Sequence, residues 1–178
     1  MGDIEGRRIV AGVSGSLGSL VALHWAASEA RRHGAELLTV LAWEPPGGEL
    51  THRSSVFPPQ MDGFRREASE RLYTALRTAF GDAGPGVAFQ GLVARGTPGY
   101  ALVATADRAD DLLVIGAGCR GRVHRTLFPS VARYCVAHAA CPVLAVPPSP
   151  LQSELTSVHR RISWRLPFDT RELTDGQP

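Results

Sequence analysis

Asp111–Val146 reads DLLVIGAGCRGRVHRTLFPSVARYCVAHAACPVLAV. It opens on an apolar run, Leu112–Ile115, that stops at Gly116. An arginine-rich loop follows, a helical stretch begins near Ser130, and a second apolar run, Pro142–Val146, closes the segment. The order is strand, loop, helix, strand. A loop that leaves the carboxyl end of a parallel strand and feeds a helix is where anionic ligands bind, because free backbone N–H groups and the helix dipole converge there.

The same alternation extends toward the amino terminus. Arg8–Val13 is a short β-branched and apolar run that ends in Ser14-Gly15-Ser16. Leu20, Leu23, Ala27 and Ala30 then recur at three- and four-residue steps, which predicts a one-sided helix with Ser16 as N-cap and Gly34 as its stop. Glu36–Trp43 is nearly continuously apolar, as expected of a strand covered on both faces. A proline- and glycine-rich loop, Glu44–Gln60, precedes a second helix marked by Phe64, Ala68, Leu72, Ala75 and Ala79 and closed by Gly81. Val87–Ala94 reads as a third strand. Thr97-Pro98 starts a third helix, with Thr as N-cap and Pro at the first helical position, that runs to about Arg108. Ser130–Ala139 is the fourth. Five strands alternating with four helices within residues 7–147 predict an α/β domain with a parallel sheet and right-handed crossovers. Residues 1–6 read as a flexible lead. Pro147-Pro148-Ser149-Pro150 ends the domain, and residues 148–178 have no sustained periodicity and read as a disordered tail. Trp164, Leu166 and Phe168 in that tail offer a contact for a protein partner.

Composition narrows the function. Of 178 residues, 44% are hydrophobic and 20% charged, ordinary for a globular chain. A net charge of +2 is too small to argue for nucleic acid or membrane binding. Every basic residue is arginine, which excludes Schiff-base and lysine general-base chemistry. The amino terminus lacks the apolar core of a signal peptide, and no stretch reaches the length of a spanning helix. Three cysteines do not make a secreted disulfide framework, so a reducing cytoplasm is expected.

Three segments carry a resemblance. RRIVAGVSGS (Arg7–Ser16), ALHWAASEARRHGAELLTVLAWEPP (Ala22–Pro46) and VARGTPGYALVATADRADDLLVIGA (Val93–Ala117) resemble the universal stress protein family, as does the CPVLAV of the final strand. The resemblance implies a flavodoxin-like open five-stranded parallel sheet, strand order 3-2-1-4-5, with helices on both faces. It also implies a homodimer formed through strand five, which places Val143 and Val146 at the dimer edge.

Nucleotide-binding members of the family use an Asp at the end of strand one, the backbone at the end of strand two, and a Gly-x2-Gly-x9-Gly-Ser/Thr loop on the phosphates. In this chain the Asp position is Ser14, and the end of strand two falls at Leu41–Trp43. The loop positions are Gly116, Cys119, Pro129 and Ser130. Cys119 adds a β-carbon where a phosphate approaches, and Pro129 has no N–H to donate. A lost charge-assisted bond is worth roughly 1.5–3 kcal/mol, so ATP or AMP binding is expected to be weak or degraded. Arg120, Arg122, His124 and Arg125 offer an alternative, an arginine clamp that binds ATP or AMP through its phosphates.

Two rival chemistries reside in the cysteines. Cys119 beside arginines fits a thiol sensor, because positive charge lowers a thiol's pKa. Cys135-x2-His138-x2-Cys141 offers three metal ligands and no evident fourth, so no metal site is expected. Asp110-Asp111 reads as a solvated turn, and at most one of His24 and Trp25 can face the sheet well, neither implying catalysis. No motif of a nucleophilic, P-loop or metallohydrolase site occurs, so no catalytic residues are expected and the chain reads as a regulatory or sensing module, not an enzyme.

Overall fold

The computed structural model describes residues 6–45, 61–117 and 130–147. Within them lie β1 (Arg8–Gly12), α1 (Leu17–His33), β2 (Glu36–Trp43), α2 (Met61–Phe80), β3 (Phe89–Arg95), α3 (Pro98–Thr105), β4 (Leu112–Gly116), α4 (Val131–His138) and β5 (Val143–Val146). All strand pairs are parallel and the order is β3-β2-β1-β4-β5. Val10, Val40 and Val114 lie on three adjacent central strands. The open five-stranded parallel sheet of the flavodoxin-like type is therefore present in the expected order.

The central strands β1, β2 and β4 are buried from both sides because they carry apolar residues at successive positions. Ile9, Val10 and Ala11 of β1 are all fully buried. One side of the core holds Ile9, Leu37, Leu41 and Val114 against Ala22, Leu23, Ala26, Ala27 and Ala30 of α1 and Ala68, Leu72 and Ala75 of α2. The other holds Val10, Val40, Leu113 and Ile115 against Leu102 and Ala106 at the end of α3 and Cys135 of α4. The alanine stripe lets α1 approach the sheet closely. It also settles His24 and Trp25: neither faces the sheet. Both lie outside the stripe, Trp25 exposed and His24 edge-on to Phe80 of α2, ring centroids 5.4 Å apart.

The helix signals work as physical stops. Ser16 caps α1 by accepting from Ser19 N–H, and Gly34 ends it in the left-handed region at φ 60°. Thr97 has extended N-cap geometry before Pro98, without a side-chain bond to the helix. The third strand begins two residues later than expected, at Phe89. The third helix stops at Thr105 instead of near Arg108, and residues 106–111 turn back toward β1.

That turn corrects the reading of Asp111. Asp110 is exposed, but Asp111 is fully buried. Arg8 of β1 donates to both its carboxylate oxygens, Nε to Oδ1 at 2.9 Å and Nη2 to Oδ2 at 2.7 Å. Arg108 N–H also donates to Oδ2 at 3.2 Å. Arg8 Nη2 makes a second ion pair with exposed Asp107 at 2.7 Å. The Arg8 guanidinium holds the Asp107 carboxyl below the usual carboxylate range. Its sign is the usual acidic one: that contribution is present at neutral pH and is lost as pH falls through the depressed value.

Candidate functional site

The carboxyl ends of β2, β1 and β4 form a row, and the candidate residues reach it from each strand. Trp43 ends β2, Ser14 follows β1 and Gly116 ends β4. Ser130 joins them as the N-cap of α4, accepting from Arg133 N–H. Cys119, Arg120 and Pro129, with Arg122, His124 and Arg125, lie outside the described residues.

Ser14 is exposed and locally engaged. Its N–H donates to Ser19 Oγ at 3.2 Å, and its hydroxyl shares a 3.0 Å hydrogen bond with Ser16 Oγ. Ser19 in turn donates to Ser16 O at 2.8 Å, so three serines tie the β1–α1 turn together. Trp43 is half-buried, and its carbonyl accepts from Gly96 N–H at 2.8 Å. This main-chain acceptor at the end of β2 already has one partner.

Gly116 has a reason to be glycine that the sequence reading missed. A β-carbon there would lie 2.9 Å from the carbonyl oxygen of Gly18 and 3.1 Å from its carbonyl carbon. The end of β4 and the first turn of α1 meet backbone to backbone, a close approach that glycine permits.

Beside Ser14 a cleft of about 520 Å³ opens between α1 and α2. Ser14, Gly15 and Leu20 form one wall, and Glu67, Glu70, Arg71 and Thr74 of α2 form the other. Two carboxylates against one guanidinium make this wall unfavourable for a phosphate. The α2 residues were missed in the sequence although a signal existed: 67, 70, 71, 74 and 78 recur at helical spacing on one polar stripe.

The expected dimer edge divides. β5 lies at the sheet's margin beside β4, but the Val146 side chain is buried in the chain's own core, while Val143 is half-buried.

The described cysteines point inward. Cys135 is fully buried and Cys141 nearly so, and both are free. Burial, reinforced by the neighbouring Cys141, pushes the Cys135 thiol up to about 11, and burial also raises Cys141. His138 instead stacks on Tyr134 at 4.2 Å on the exposed side of α4. Among the described residues no group of three or more His, Cys, Asp or Glu could hold a metal ion. A raised thiol pKa means the folded state keeps its proton where the unfolded chain loses it, so this contribution is intact below pH 9 and lost as pH rises through about 11. At pH 8 the Cys135 thiolate fraction is about a hundredfold below that of an ordinary thiol. Iodoacetamide should therefore modify Cys135 slowly in the native chain and quickly in urea. Peptide mass spectrometry checks this, and equal rates in both states would contradict it.

Among the described residues no helix is long and apolar enough to cross a membrane. No curated protein sequence matches the chain. The solved structures do. A universal stress protein from Archaeoglobus fulgidus is 26% identical, with 79% of this chain and 98% of that one aligned at a TM-score of 0.58. A universal stress protein in complex with cAMP is 25% identical, covering 82% of this chain and 99% of that one at a TM-score of 0.54. The Archaeoglobus fulgidus protein in complex with dAMP is 24% identical over 80% and 99% of the two chains, at a TM-score of 0.56, and supports the fold. The model of the universal stress protein family matches residues 6–147, which include every described element. With that match and the strand order in agreement, the chain belongs to the universal stress protein family.

Proposed function

We propose that the chain is a regulatory module of the universal stress type, self-associating and cytoplasmic, that binds adenine nucleotides weakly and catalyses no reaction of its own. The observation that carries this reading is Ser14. It stands where the family resemblance calls for a carboxylate, and its hydroxyl is engaged with Ser16. A hydroxyl has one uncharged oxygen, so it lacks the paired oxygens and the negative charge with which a carboxylate receives two ribose hydroxyls or binds a metal ion. Gly116 fits the same reading, since packing against Gly18 accounts for it without a ligand. The cAMP complex of a relative supports an adenine nucleotide as the ligand class. The cytoplasmic setting rests on the buried free thiols.

Calorimetry with ATP, AMP and cyclic AMP at fixed salt and magnesium tests the proposal. The natural chain should bind poorly. Ser14→Asp, Cys119→Gly and Pro129→Gly together should strengthen ATP binding at least about tenfold, or about 1.4 kcal/mol, by returning a carboxylate, a permissive backbone position and an N–H donor. Micromolar binding by the natural chain would overturn the weak-binding reading. It would promote the arginine clamp, in which case Arg120→Ala should weaken ATP more than adenosine.

A further inference from the structure

The lining of the cleft between α1 and α2 decides which end of an adenine ligand it can take. Its volume, about 520 Å³, is in the range of small-molecule pockets and can hold a nucleoside. It begins at Ser14 and Gly15, beyond the end of β1, and follows the groove between the helices past Leu20 and Ala75 to Thr78. Glu67, Glu70, Arg71, Thr74 and Thr78 share one stripe of α2, since they recur at three- and four-residue steps. Two carboxylates against one guanidinium leave this wall net negative. Carboxylates accept hydrogen bonds from N–H and O–H groups, and they repel phosphate. Adenosine brings donors of that kind, the amino group of its base and the hydroxyls of its ribose. An ionised phosphate brings acceptors and negative charge.

The β1–α1 turn points the same way. A phosphate at the start of a helix is held by backbone N–H groups that nothing else engages. In this turn serine oxygens engage three of them. Ser14 N–H donates to Ser19 Oγ at 3.2 Å, Ser16 N–H to Ser14 Oγ at 3.5 Å, and Ser19 N–H to Ser16 Oγ at 3.3 Å. The mouth of the cleft is therefore poor in donors for a phosphate, and its far wall repels one.

We infer that the nucleoside end of an adenine ligand enters the α1–α2 cleft, and that the chain prefers adenosine to AMP and AMP to ATP. The inference rests on the adenine-ligand reading proposed above and reverses the order that a phosphate-binding site gives. Leu20 and Ala75 supply apolar contact for the base. Glu67 and Glu70 accept from its amino group or from the ribose hydroxyls, and Thr74 and Thr78 add hydroxyls beside them. Each added phosphate brings more negative charge toward α2. Both carboxylates are exposed, so the discrimination is that of charges in water. Two unit charges about 4 Å apart in water are worth about fivefold in affinity, and less when farther apart. A preference of this size accounts for weak ATP binding without a loss of the site.

Ligand-observed NMR titrations of the natural chain with adenosine, AMP and ATP, free of magnesium, measure the order. Adenosine should bind at least about fivefold more tightly than ATP, with AMP between them. The gap should narrow when salt is raised from about 0.01 M to 0.15 M, as the screening length falls from about 30 to 8 Å. Glu67→Gln together with Glu70→Gln keeps an acceptor oxygen at each position and removes the charge. It should strengthen ATP about fivefold and leave adenosine within about twofold. Thr74→Trp, at an exposed position of α2, fills the cleft and should abolish adenosine binding, with circular dichroism and melting as the check on folding. The outcomes separate the two readings. If none of the three ligands binds, the adenine-ligand reading fails and this inference with it. If ATP binds as tightly as adenosine or more tightly, that reading stands and this inference is overturned. It is also overturned if adenosine still binds Thr74→Trp, or if the double glutamine variant binds ATP no better than the natural chain.

Discussion

Replacing Asp111 with alanine is expected to cost about 3 kcal/mol of folding stability, the lower end of what breaking a buried ion pair costs. The lower end applies because the Arg8 side chain is 17% exposed and keeps Asp107, so its charge is not stranded completely. What is lost is a carboxylate that is fully buried and receives Nε and Nη2 of Arg8 and the N–H of Arg108. That carboxylate joins the start of β1 to the turn before β4, which are neighbouring central strands. In a domain of this size, such a loss should lower the melting temperature by roughly 6–12 °C. Asp107→Ala makes the control. Asp107 contacts the same guanidinium from an exposed position, where ion pairs are worth about 0–1 kcal/mol. Urea melts of the two variants decide between them. Equal and small losses would mean that the buried pair is merely tolerated.

The pair was illegible in the sequence for a physical reason. Two aspartates before a strand look like any polar turn, and the partner that changes this lies 103 residues away. Periodicity reports what one element does and not what a crossover brings beside it. The elements themselves were legible, since Ser16, Gly34, Gly81, Pro98 and Ser130 mark local stops and starts that the backbone obeys wherever the chain goes next. The strand order was not in that pattern and came through the resemblance. His24 and Trp25 fall between these cases. The helix was evident, but which stripe it buries was settled by alanines 22, 26, 27 and 30, whose small size lets the sheet come near. The site divides in the same way: the positions at the strand ends could be read, while the α2 wall of the cleft needed the packing of α2 beside α1.

Gly116→Ala is expected to destabilise the chain by about 1–3 kcal/mol, the usual cost of forcing a methyl into a packed interior. The new carbon would stand 2.9 Å from the Gly18 carbonyl oxygen, closer than van der Waals contact allows. The obstacle is backbone at the first turn of a helix, so it cannot rotate away as a side chain would. Gly99 supplies the contrast. A β-carbon there would come 2.7 Å from the Tyr134 ring, a tighter contact on paper. Tyr134, however, is a partly exposed side chain stacked on exposed His138, and it has room to turn. Gly99→Ala should therefore cost less than Gly116→Ala despite the shorter distance, and thermal melts of the two variants rank them. The ranking also bears on function. A glycine at the end of β4 invites assignment to a phosphate, yet the contact with Gly18 exists without any ligand. If Gly116→Ala left stability unchanged, the packing account would fail, and approach of a ligand would again be the better reason for glycine at that position.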